Sequence, residues 1–308
     1  MPSETVPADL DGERFDRALS LLAAVSRAEA RRLIDEGLAT RGGEPAAPSA
    51  RVADGDVLTF PEPEEVLHEP DPTVHIDVLW EDDVAAVVDK PAGLVVHTGA
   101  GGKVPTLAAG LVARWPSMSD VGEPGRWGLV HRLDRDTSGA LLVAKTQAAL
   151  DALADQLRRR EVARTYLALA EGHFGTPTGT IDAPIERDPE VPTRRRVGPF
   201  GRPSRTHYRV LERFEHPPVS LLEVRLETGR THQIRVHLAA IDHPVVADRV
   251  YRRSSTPTLG LHRTWLHAAR LGFAHPEDGT MVTVESPLPT ELAATLDDLR
   301  AASTAQQH

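Results

Sequence analysis

The stretch from His131 to Lys145 reads HRLDRDTSGALLVAK, and it joins a charged loop to a short apolar strand. The loop, residues 131–139, is the kind of polar connection that carries functional groups on a rigid scaffold. Residues 140–144 (ALLVA) form an apolar run of strand length, which predicts a buried strand. Composition alone also allows a tight turn with a solvated ion pair at this place.

The segments around this stretch contain more predicted strands than helices. Residues 162–170 and 219–228 alternate in the pattern of strands. Thr146 is expected to cap a helix whose leucines share one face. Because neighbouring strands are often too close in sequence for helical crossovers, we predict an α+β fold with a mixed, largely antiparallel sheet. The other predicted elements are strands at 78–80, 84–88, 265–274 and 281–285, and helices within 231–241 and near 290–301.

Residues 10–60 are predicted to form a small unit of their own. Phe15, Leu19 and Leu22 recur at helical spacing. A second helix is expected to begin at the capping box Ser26–Glu29, in which each end residue satisfies an otherwise unpaired N–H group. Because a unit of this size buries little apolar surface, we expect it to dock substrate and not to carry catalysis.

The segment 61–75, PEPEEVLHEPDPTVH, is rich in proline and in acidic residues. Such a composition buries little apolar surface and is typical of a linker. We therefore expect the catalytic domain to extend over residues 76–301, with this linker separating it from the N-terminal unit.

The composition excludes several classes of protein. The chain has 308 residues, of which 40% are hydrophobic and 26% are charged, as in ordinary globular proteins. No apolar run approaches the roughly 18–20 residues that span a membrane, and the N-terminus lacks the basic start and apolar core of a secretory signal. The absence of cysteine excludes disulfides and cysteine-ligated metals, and it fits a reducing cytoplasm.

The charges are unevenly distributed along the chain. A net charge of −10 taken alone argues against a nucleic-acid partner. However, residues 61–89 hold ten acidic and no basic residues, whereas residues 190–240 hold ten arginines and five acidic residues. Because a contact surface depends on local charge, a basic face on this acidic chain can still bind RNA. Charges scattered over solvated faces are the alternative explanation.

Three patterns that resemble metal or phosphate sites fail on their spacing. Residues 134–139 imitate the first half of a calcium-binding loop, but the twelfth position is Lys145 where a bidentate glutamate belongs. Residues 99–103 suggest a phosphate loop, but they lack the glycine spacing and the Ser or Thr that follows the lysine. His232 and His237 are five residues apart on a predicted helix, which places them on different faces.

The loop HRLDRDTSG at residues 131–139 closely resembles the catalytic motif of the RluA/RluD-type pseudouridine synthases of large-subunit ribosomal RNA. Four further segments resemble other motifs of that family in matching order and spacing, over about residues 76–290. Residues 10–60 resemble the αL-type RNA-binding domain that a small-subunit ribosomal protein shares with many RNA modifiers. The four segments are VDKPAGLVVH at 88–97, RTYLAL at 164–169, GRTHQIRVH at 229–237 and LHA at 266–268.

This resemblance implies an isomerase that needs no cofactor or metal and that acts on RNA, with ribosomal RNA favoured and transfer RNA also open. Asp134 matches the family's essential carboxylate; attack on the sugar, attack on the base and removal of a sugar proton all remain open as its role. Arg235 matches the arginine that pairs with this carboxylate. Tyr166 matches the tyrosine that stacks on the flipped uracil. Nothing in the sequence calls for a membrane or for more than a monomer.

The resemblance also implies residues that handle the substrate. Arg132 matches the arginine that fills the gap left by the flipped base. Leu266 matches a leucine that packs under the base, although a plain core role is nearly as well supported. His131 and Lys90 are expected to be structural or to contact RNA. Arg164 stands where the family usually has lysine, and both are cations.

Two arginines of the N-terminal unit, Arg27 and Arg31, lie one turn apart on the predicted helix. This spacing makes them candidates to bind phosphate groups of RNA, and a solvated helix face is the alternative explanation.

Two other functions compete with that of a pseudouridine synthase. A non-catalytic RNA-binding protein on the same fold would be expected to have lost Asp134, Tyr166 or Arg235, and all three are present. A hydrolase or phosphotransferase with Asp134 as nucleophile would need a metal-binding carboxylate cluster or a second catalytic acid at suitable spacing. The sequence contains no convincing example of either.

Overall fold

The structure, a computed structural model, describes residues 2–23, 25, 27–61, 69–97, 104–191, 193–252 and 257–305. These residues form two compact units: the first extends to Glu69 and also includes Val104, and the second runs from Pro70 to His97 and from Pro105 onward. Each unit has its own hydrophobic core. No helix within the described ranges is both long and apolar enough to cross a lipid bilayer.

The first unit combines two helices with a three-stranded antiparallel sheet. Its elements are α1 (Phe15–Leu22), α2 (Arg27–Asp35), β1 (Ser3–Thr5), β2 (Thr40–Arg41) and β3 (Val57–Thr59), with β3 in the centre. Phe15 and Leu19 are fully buried on α1, as their helical spacing predicted. Gly37 follows α2 with a φ of +71°, a left-handed conformation that glycine adopts freely. Ser26 of the predicted capping box lies outside the described residues.

The second unit is built around a nine-stranded sheet with helices packed beside it. Its helices are α3 (Leu107–Arg114), α4 (Gln147–Arg158), α5 (Gln233–Ala240) and α6 (Thr290–Ala305). The strands are β4 (Asp77–Glu81), β5 (Ala85–Lys90), β6 (Ser138–Ala144), β7 (Ala163–Glu171), β8 (Thr178–Asp182), β9 (Ile185–Arg187), β10 (Arg195–Val197), β11 (Arg205–Glu215), β12 (Pro218–Leu226), β13 (Leu266–Ala274) and β14 (Met281–Glu285).

The strand order of this sheet is β4-β5-β6-β13-β7-β12-β11-β8, and β14 pairs with β13. Strands β6 and β13 run parallel, and the other paired strands of the sheet run antiparallel. The hairpin of β9 and β10 pairs separately. The predicted α+β fold with a mixed, largely antiparallel sheet is therefore confirmed.

Gly139 lies at the end of the loop of residues 131–139, called the HRLD loop below, and allows this loop to approach β13 closely. The residue has a φ of +117°, and an added Cβ would lie 2.7 Å from the backbone nitrogen of Ala268. Only glycine combines this backbone conformation with so close a contact. As a result, Ser138 pairs with His267, and Gly139 with Ala268, in the parallel register of β6 and β13. The HRLD loop, which leads into β6, is thereby brought beside the start of β13.

Several elements differ from the sequence-based expectations. The helix α3 and the strands β8 to β11 were not predicted, because α3 is short and rich in alanine and β11 is rich in charged residues. Helix α6 runs to Ala305, beyond the expected end near residue 301. The expected linker at 61–75 lies partly outside the described residues. Its last part packs with the second unit, since the N–H of Asp71 donates to the carbonyl oxygen of Ala109 at 3.0 Å.

Candidate active site

A pocket of about 450 Å³ lies in the second unit where four of the sequence motifs meet. Its walls come from the HRLD loop, from β7, from the turn before α5 together with the start of that helix, and from the first residue of β13. Segments that are far apart in sequence therefore share one cavity. The sequence-predicted residues that line it are Asp134, Arg235, Tyr166, Arg132, Leu266 and His131.

Asp134 and Arg235 form an ion pair at the wall of this pocket. Nη1 of Arg235 donates to Oδ2 of Asp134 at 3.2 Å. The side chain of Asp134 retains 18% of its exposure, and that of Arg235 retains 9%. The carboxylate can thus be reached from the pocket, while the guanidinium is held mostly within the protein.

Arg235 is oriented by a second carboxylate, Asp248, that the sequence analysis did not identify. Nε and Nη2 of Arg235 donate to the two oxygens of Asp248 at 2.6 and 2.9 Å, a two-point contact that fixes the guanidinium plane. Asp248 is fully buried and also accepts the backbone N–H groups of Val250 and Tyr251. The ring of Tyr251 lies 5.1 Å from the guanidinium carbon.

These contacts determine the charge states of Arg235 and Asp248. Burial alone would lower the pKa of Arg235, but the hydrogen bonds and charges of Asp248 and Asp134 raise it above its ordinary value. Burial would also raise the pKa of Asp248, but Arg235 and the two backbone N–H groups lower it below its ordinary value. Both groups are therefore ionised at neutral pH, and the remaining guanidinium N–H is directed at Asp134.

Hydrogen bonds of Gln233 stabilise the turn that precedes α5. Its Oε1 accepts from the hydroxyl of Thr228 at 2.8 Å and from the N–H of Arg230 at 3.0 Å. Its Nε2 donates to the carbonyl oxygen of Arg205 and to the hydroxyl of Thr206, both at 3.0 Å. All four hydrogen-bonding positions of this buried amide are used, so the start of α5 is held in one conformation.

Tyr166 and Leu266 supply the apolar surface of the pocket. Both are almost completely buried, and they lie on the adjacent strands β7 and β13. Burial raises the pKa of the Tyr166 hydroxyl, so that it stays protonated at neutral pH. A flat ring and a branched aliphatic side chain on neighbouring strands can hold a planar group between them.

The pocket carries more positive than negative side chains. Six arginines and two carboxylates line it, which favours a polyanionic ligand. Arg132 is exposed, and it lies two residues before Asp134. Arg164 is buried, and burial lowers its pKa; its Nε has no hydrogen-bond partner among the described residues. A buried cation with an unused donor in a pocket is suited to an oxygen-rich ligand.

His131 and Lys90 are held by backbone groups. Nε2 of His131 accepts from the N–H of Leu142 at 3.1 Å, and burial lowers the pKa of this imidazole to about 3, so the ring is neutral. Nζ of Lys90 donates to the carbonyl oxygens of Pro91, Leu94 and Arg135 at 2.8, 2.9 and 3.0 Å. Lys90 is fully buried and does not line the pocket. This placement does not support a substrate-binding role for Lys90 and favours a structural one.

The candidate phosphate-binding arginines of the first unit lie on the exposed side of α2. Arg27 pairs with the buried carboxylate of Asp16 at 3.1 Å, and Arg31 lies 3.5 Å from Asp35. Their side chains keep 55% and 63% of their exposure. Both arginines can be reached by a ligand, although each already has an acidic neighbour.

The histidines that were considered as metal ligands make other contacts. Nδ1 of His232 forms a hydrogen bond with the hydroxyl of Tyr251, and His237 bonds to Thr206 and to the carbonyl oxygen of Ala183. The part of the chain that the structure describes contains no cluster of three or more potential metal-ligating side chains. The rejected phosphate-loop pattern at 99–103 lies outside the described residues.

Sequence reasoning missed Asp248, Tyr251 and Gln233 because their roles depend on contacts between different elements, which helical or strand spacing does not show. Gln233 lies within the GRTHQIRVH segment, so its place in a motif was a usable signal. Asp248 follows the apolar run PVVA at residues 244–247, but nothing local distinguishes it from a surface aspartate.

Comparisons with known proteins agree with this arrangement. Residues 84–240 match the family described as RNA pseudouridylate synthase, and residues 13–58 match the S4 domain. An uncharacterized RNA pseudouridine synthase of Mycobacterium bovis is 41% identical, covering 97% of this chain and 98% of that protein. A ribosomal large subunit pseudouridine synthase D of Nitrosomonas europaea is 42% identical, covering 96% and 87%. The solved structure of human RNA pseudouridylate synthase domain containing 1 has a TM-score of 0.59 at 32% identity, covering 77% of this chain and 98% of that one.

Proposed function

We propose that this chain, which belongs to the RNA pseudouridylate synthase family, modifies large-subunit ribosomal RNA with Asp134 as its essential carboxylate. As a member of that family it is an isomerase that converts uridine in RNA to pseudouridine. The observation that carries the assignment of Asp134 is its ion pair with Arg235 at the wall of a pocket of about 450 Å³. Pockets of this size are typical of small-molecule and nucleotide sites.

The reaction breaks the bond from uracil N1 to ribose C1′ and forms a bond from C5 to C1′, while the C5 proton is lost and N1 gains one. It is an internal rearrangement with no net redox change and no group donor. The carboxylate of Asp134 is oriented by Arg235 and is suited to act on the sugar or the base while the glycosidic bond is open. The hydrogen bond from Arg235 limits the rotation of this carboxylate.

The target base has to leave the RNA stack before it can reach Asp134, which costs a few kcal/mol in related base-modifying enzymes. In the proposed complex, Tyr166 and Leu266 hold the flipped uracil, and the exposed Arg132 occupies the gap in the stack. The positive charge of Arg164, which lines the pocket, then attracts the phosphate of the flipped nucleotide. Because Tyr166 is protonated at neutral pH, it can relay the C5 proton only if it passes its own hydroxyl proton to an acceptor as it receives that proton.

Large-subunit ribosomal RNA is the favoured substrate because several relatives at about 41% identity carry it in their names. The S4 domain at residues 13–58 supplies RNA-binding surface. We propose that this unit docks structured RNA through Arg27 and Arg31 while the second unit performs the isomerisation. Mapping pseudouridines across total RNA of a deletion strain tests the target, since a lost site in transfer RNA would replace the ribosomal assignment.

The assignment of Asp134 is tested by the substitution Asp134→Asn. We expect the variant to fold and to bind RNA, and to lose about a thousandfold or more in rate because the nucleophile or base is removed. The measurement is tritium release from RNA that is labelled at uridine C5. Asp136→Asn is the matched control, since Asp136 pairs with Arg135 and does not line the pocket. Wild-type release from the Asp134 variant would overturn the assignment.

A further inference from the structure

Phe200 is the most exposed large apolar side chain of the described residues. It keeps 93% of its possible exposure, whereas the next most exposed, Met281, keeps 70%. Single exposed apolar residues are common on protein surfaces and need no explanation by themselves. Phe200 differs from such residues because the backbone beneath it is rigid, because arginines surround it, and because its segment is joined to the wall of the active-site pocket.

The backbone beneath Phe200 is a tight turn that the neighbouring strand fastens. The N–H of Gly201 donates to the carbonyl oxygen of Gly198 at 3.1 Å, which closes a β-turn with Pro199 and Phe200 at its corners. The N–H of Phe200 donates to Oε2 of Glu186 at 3.1 Å. The ring is therefore presented to solvent by a backbone with little freedom.

Glycine is required at the end of this turn. A Cβ at Gly201 would lie 2.5 Å from the carbonyl carbon of Ile185, which is backbone and cannot move aside. Ile185 and Arg202 exchange two backbone hydrogen bonds, of 3.0 and 2.9 Å, directly after the turn. The turn therefore holds the aromatic ring of Phe200 at its outermost point.

The segment that carries Phe200, residues 185–202, is rich in arginine. Two of its three acidic residues are engaged within the segment: Glu186 pairs with Arg196 at 2.8 Å, and Asp188 accepts the backbone N–H groups of Glu190 and Val191. Burial lowers the pKa of Arg195, as do the charges of Arg187 and Arg132. Arg187 and Arg132, of which Arg132 lines the pocket, are therefore near enough to Arg195 for their charges to act on it. The arginines of this segment are Arg187, Arg194, Arg195, Arg196 and Arg202.

Tyr251 joins this segment to the active-site pocket. Its hydroxyl accepts the N–H of Arg195 at 2.9 Å and forms a hydrogen bond of 2.8 Å with Nδ1 of His232, a residue of the pocket wall. The ring of Tyr251 contacts both Arg194 and Arg235, at 5.5 and 5.1 Å from the ring centre. RNA that enters the pocket is thus expected to pass close to the hairpin of β9 and β10.

We propose that Phe200 is a stacking surface for an unpaired base that flanks the target uridine, and that the arginines of the hairpin bind the phosphates on either side. This inference rests on the proposed function and adds a second contact site on the same RNA. Every nucleobase has a flat face, so an exposed aromatic ring can stack on it whatever its sequence. Arginine side chains bind phosphate oxygens and position the strand without reading the bases.

Phe200→Ala in the full-length protein tests this surface directly. We expect the Kd for a ribosomal RNA fragment that contains the target uridine to rise about tenfold, because one base–aromatic stack is lost. Phe200→Tyr keeps the flat ring and is expected to bind within about twofold of the wild type. Met281→Ala is the matched control: it removes the other highly exposed apolar side chain and should change neither binding nor activity.

A fluorescent base, 2-aminopurine, placed at each position beside the target uridine provides a second measurement. Stacking on Phe200 is expected to quench its fluorescence at one of these positions in the wild type and in Phe200→Tyr, but not in Phe200→Ala. Thermal unfolding of each variant shows whether the fold is intact. Unchanged affinity and unchanged fluorescence in Phe200→Ala would overturn the proposal and leave a protein partner as the occupant of this surface.

The outcomes separate this inference from the proposed function. If the wild type forms pseudouridine while Phe200→Ala binds RNA normally, the proposed function stands and the stacking surface is wrong. If Phe200→Ala weakens RNA binding while the wild type forms no pseudouridine in that fragment, the stacking surface stands and the proposed target is wrong.

Discussion

Arg235 links two carboxylates of the candidate active site, Asp134 and Asp248. Its hydrogen bonds to Asp248 are shorter than the one to Asp134, which at 3.2 Å is the longest of the three. A guanidinium that is fixed by one carboxylate can present its remaining N–H to another in a constant geometry. Asp248 thus acts through Arg235, and we regard it as a positioning residue that does not touch substrate.

Asp248→Asn is expected to reduce kcat about a hundredfold because a small displacement of Arg235 misplaces Asp134. The variant should also lose about 3 kcal/mol of unfolding free energy, since a buried charge pair is broken on one side. Single-turnover kinetics and urea unfolding measure the two effects. Asp182→Asn is the control, because Asp182 forms an exposed ion pair with Arg205. A fall in stability with kcat unchanged would mean that Asp248 is only structural.

The parallel pairing of β6 with β13 places the HRLD loop beside Leu266. The two strands are parallel over Ser138–Gly139 and His267–Ala268, directly after the loop. The hydroxyl of Ser138 is 2.9 Å from Nδ1 of the buried His267, which adds a side-chain contact to the backbone pairing. Because the loop ends where this pairing begins, the position of Asp134 depends on the register of the two strands.

Gly139→Ala is expected to disturb this register. The φ of +117° is unfavourable for alanine, and the added methyl group would collide with the backbone of Ala268. We expect a loss of about 3 kcal/mol or more in unfolding free energy and a lower kcat in the molecules that fold. Gly279→Ala is the control, since Gly279 also has a positive φ but has open space around it. Equal losses in both variants would show that backbone strain alone, without the contact to β13, explains the effect.

The chain has a net negative charge, but most of the charged side chains that line its pocket are positive. The net charge is −10, whereas six arginines and two carboxylates line the pocket. Because phosphate contacts are screened over about 10 Å at 0.1 M salt, nearby arginines outweigh a distant excess of carboxylates. In the proposed function, the first of the two units holds structured RNA and the second performs the reaction.

Deletion of residues 1–69 is expected to weaken binding of structured ribosomal RNA about tenfold or more and to make it less dependent on salt, because phosphate contacts are lost. Turnover of a minimal single-stranded substrate should change little. Filter binding at several salt concentrations and tritium release measure the two properties. Equal affinity with and without these residues would discard the docking role of the first unit.

The motifs, the second-unit strands other than β8 to β11, and the first-unit helices were readable from the amino-acid sequence. Residue types at fixed local spacing indicate a strand, a helix or a family motif, and this was sufficient for the family, the α+β class and six of the pocket residues. Local spacing is sufficient for strands and helices because it reflects which face of one element is apolar, whereas the family and the pocket residues were expected from the resemblance of the motifs.

The pairing of Asp134 with Arg235 was expected only from the family resemblance, and the partners of Asp248 and Lys90 were decided by tertiary structure alone. Asp134 and Arg235 are 101 positions apart, so no local pattern relates them. Asp248 resembles a surface aspartate, and Lys90 lies within a family motif but is surrounded by backbone carbonyl groups. Ion pairs and hydrogen bonds between distant segments depend on strand register and on loop closure in three dimensions, and periodicity along one segment does not contain that information.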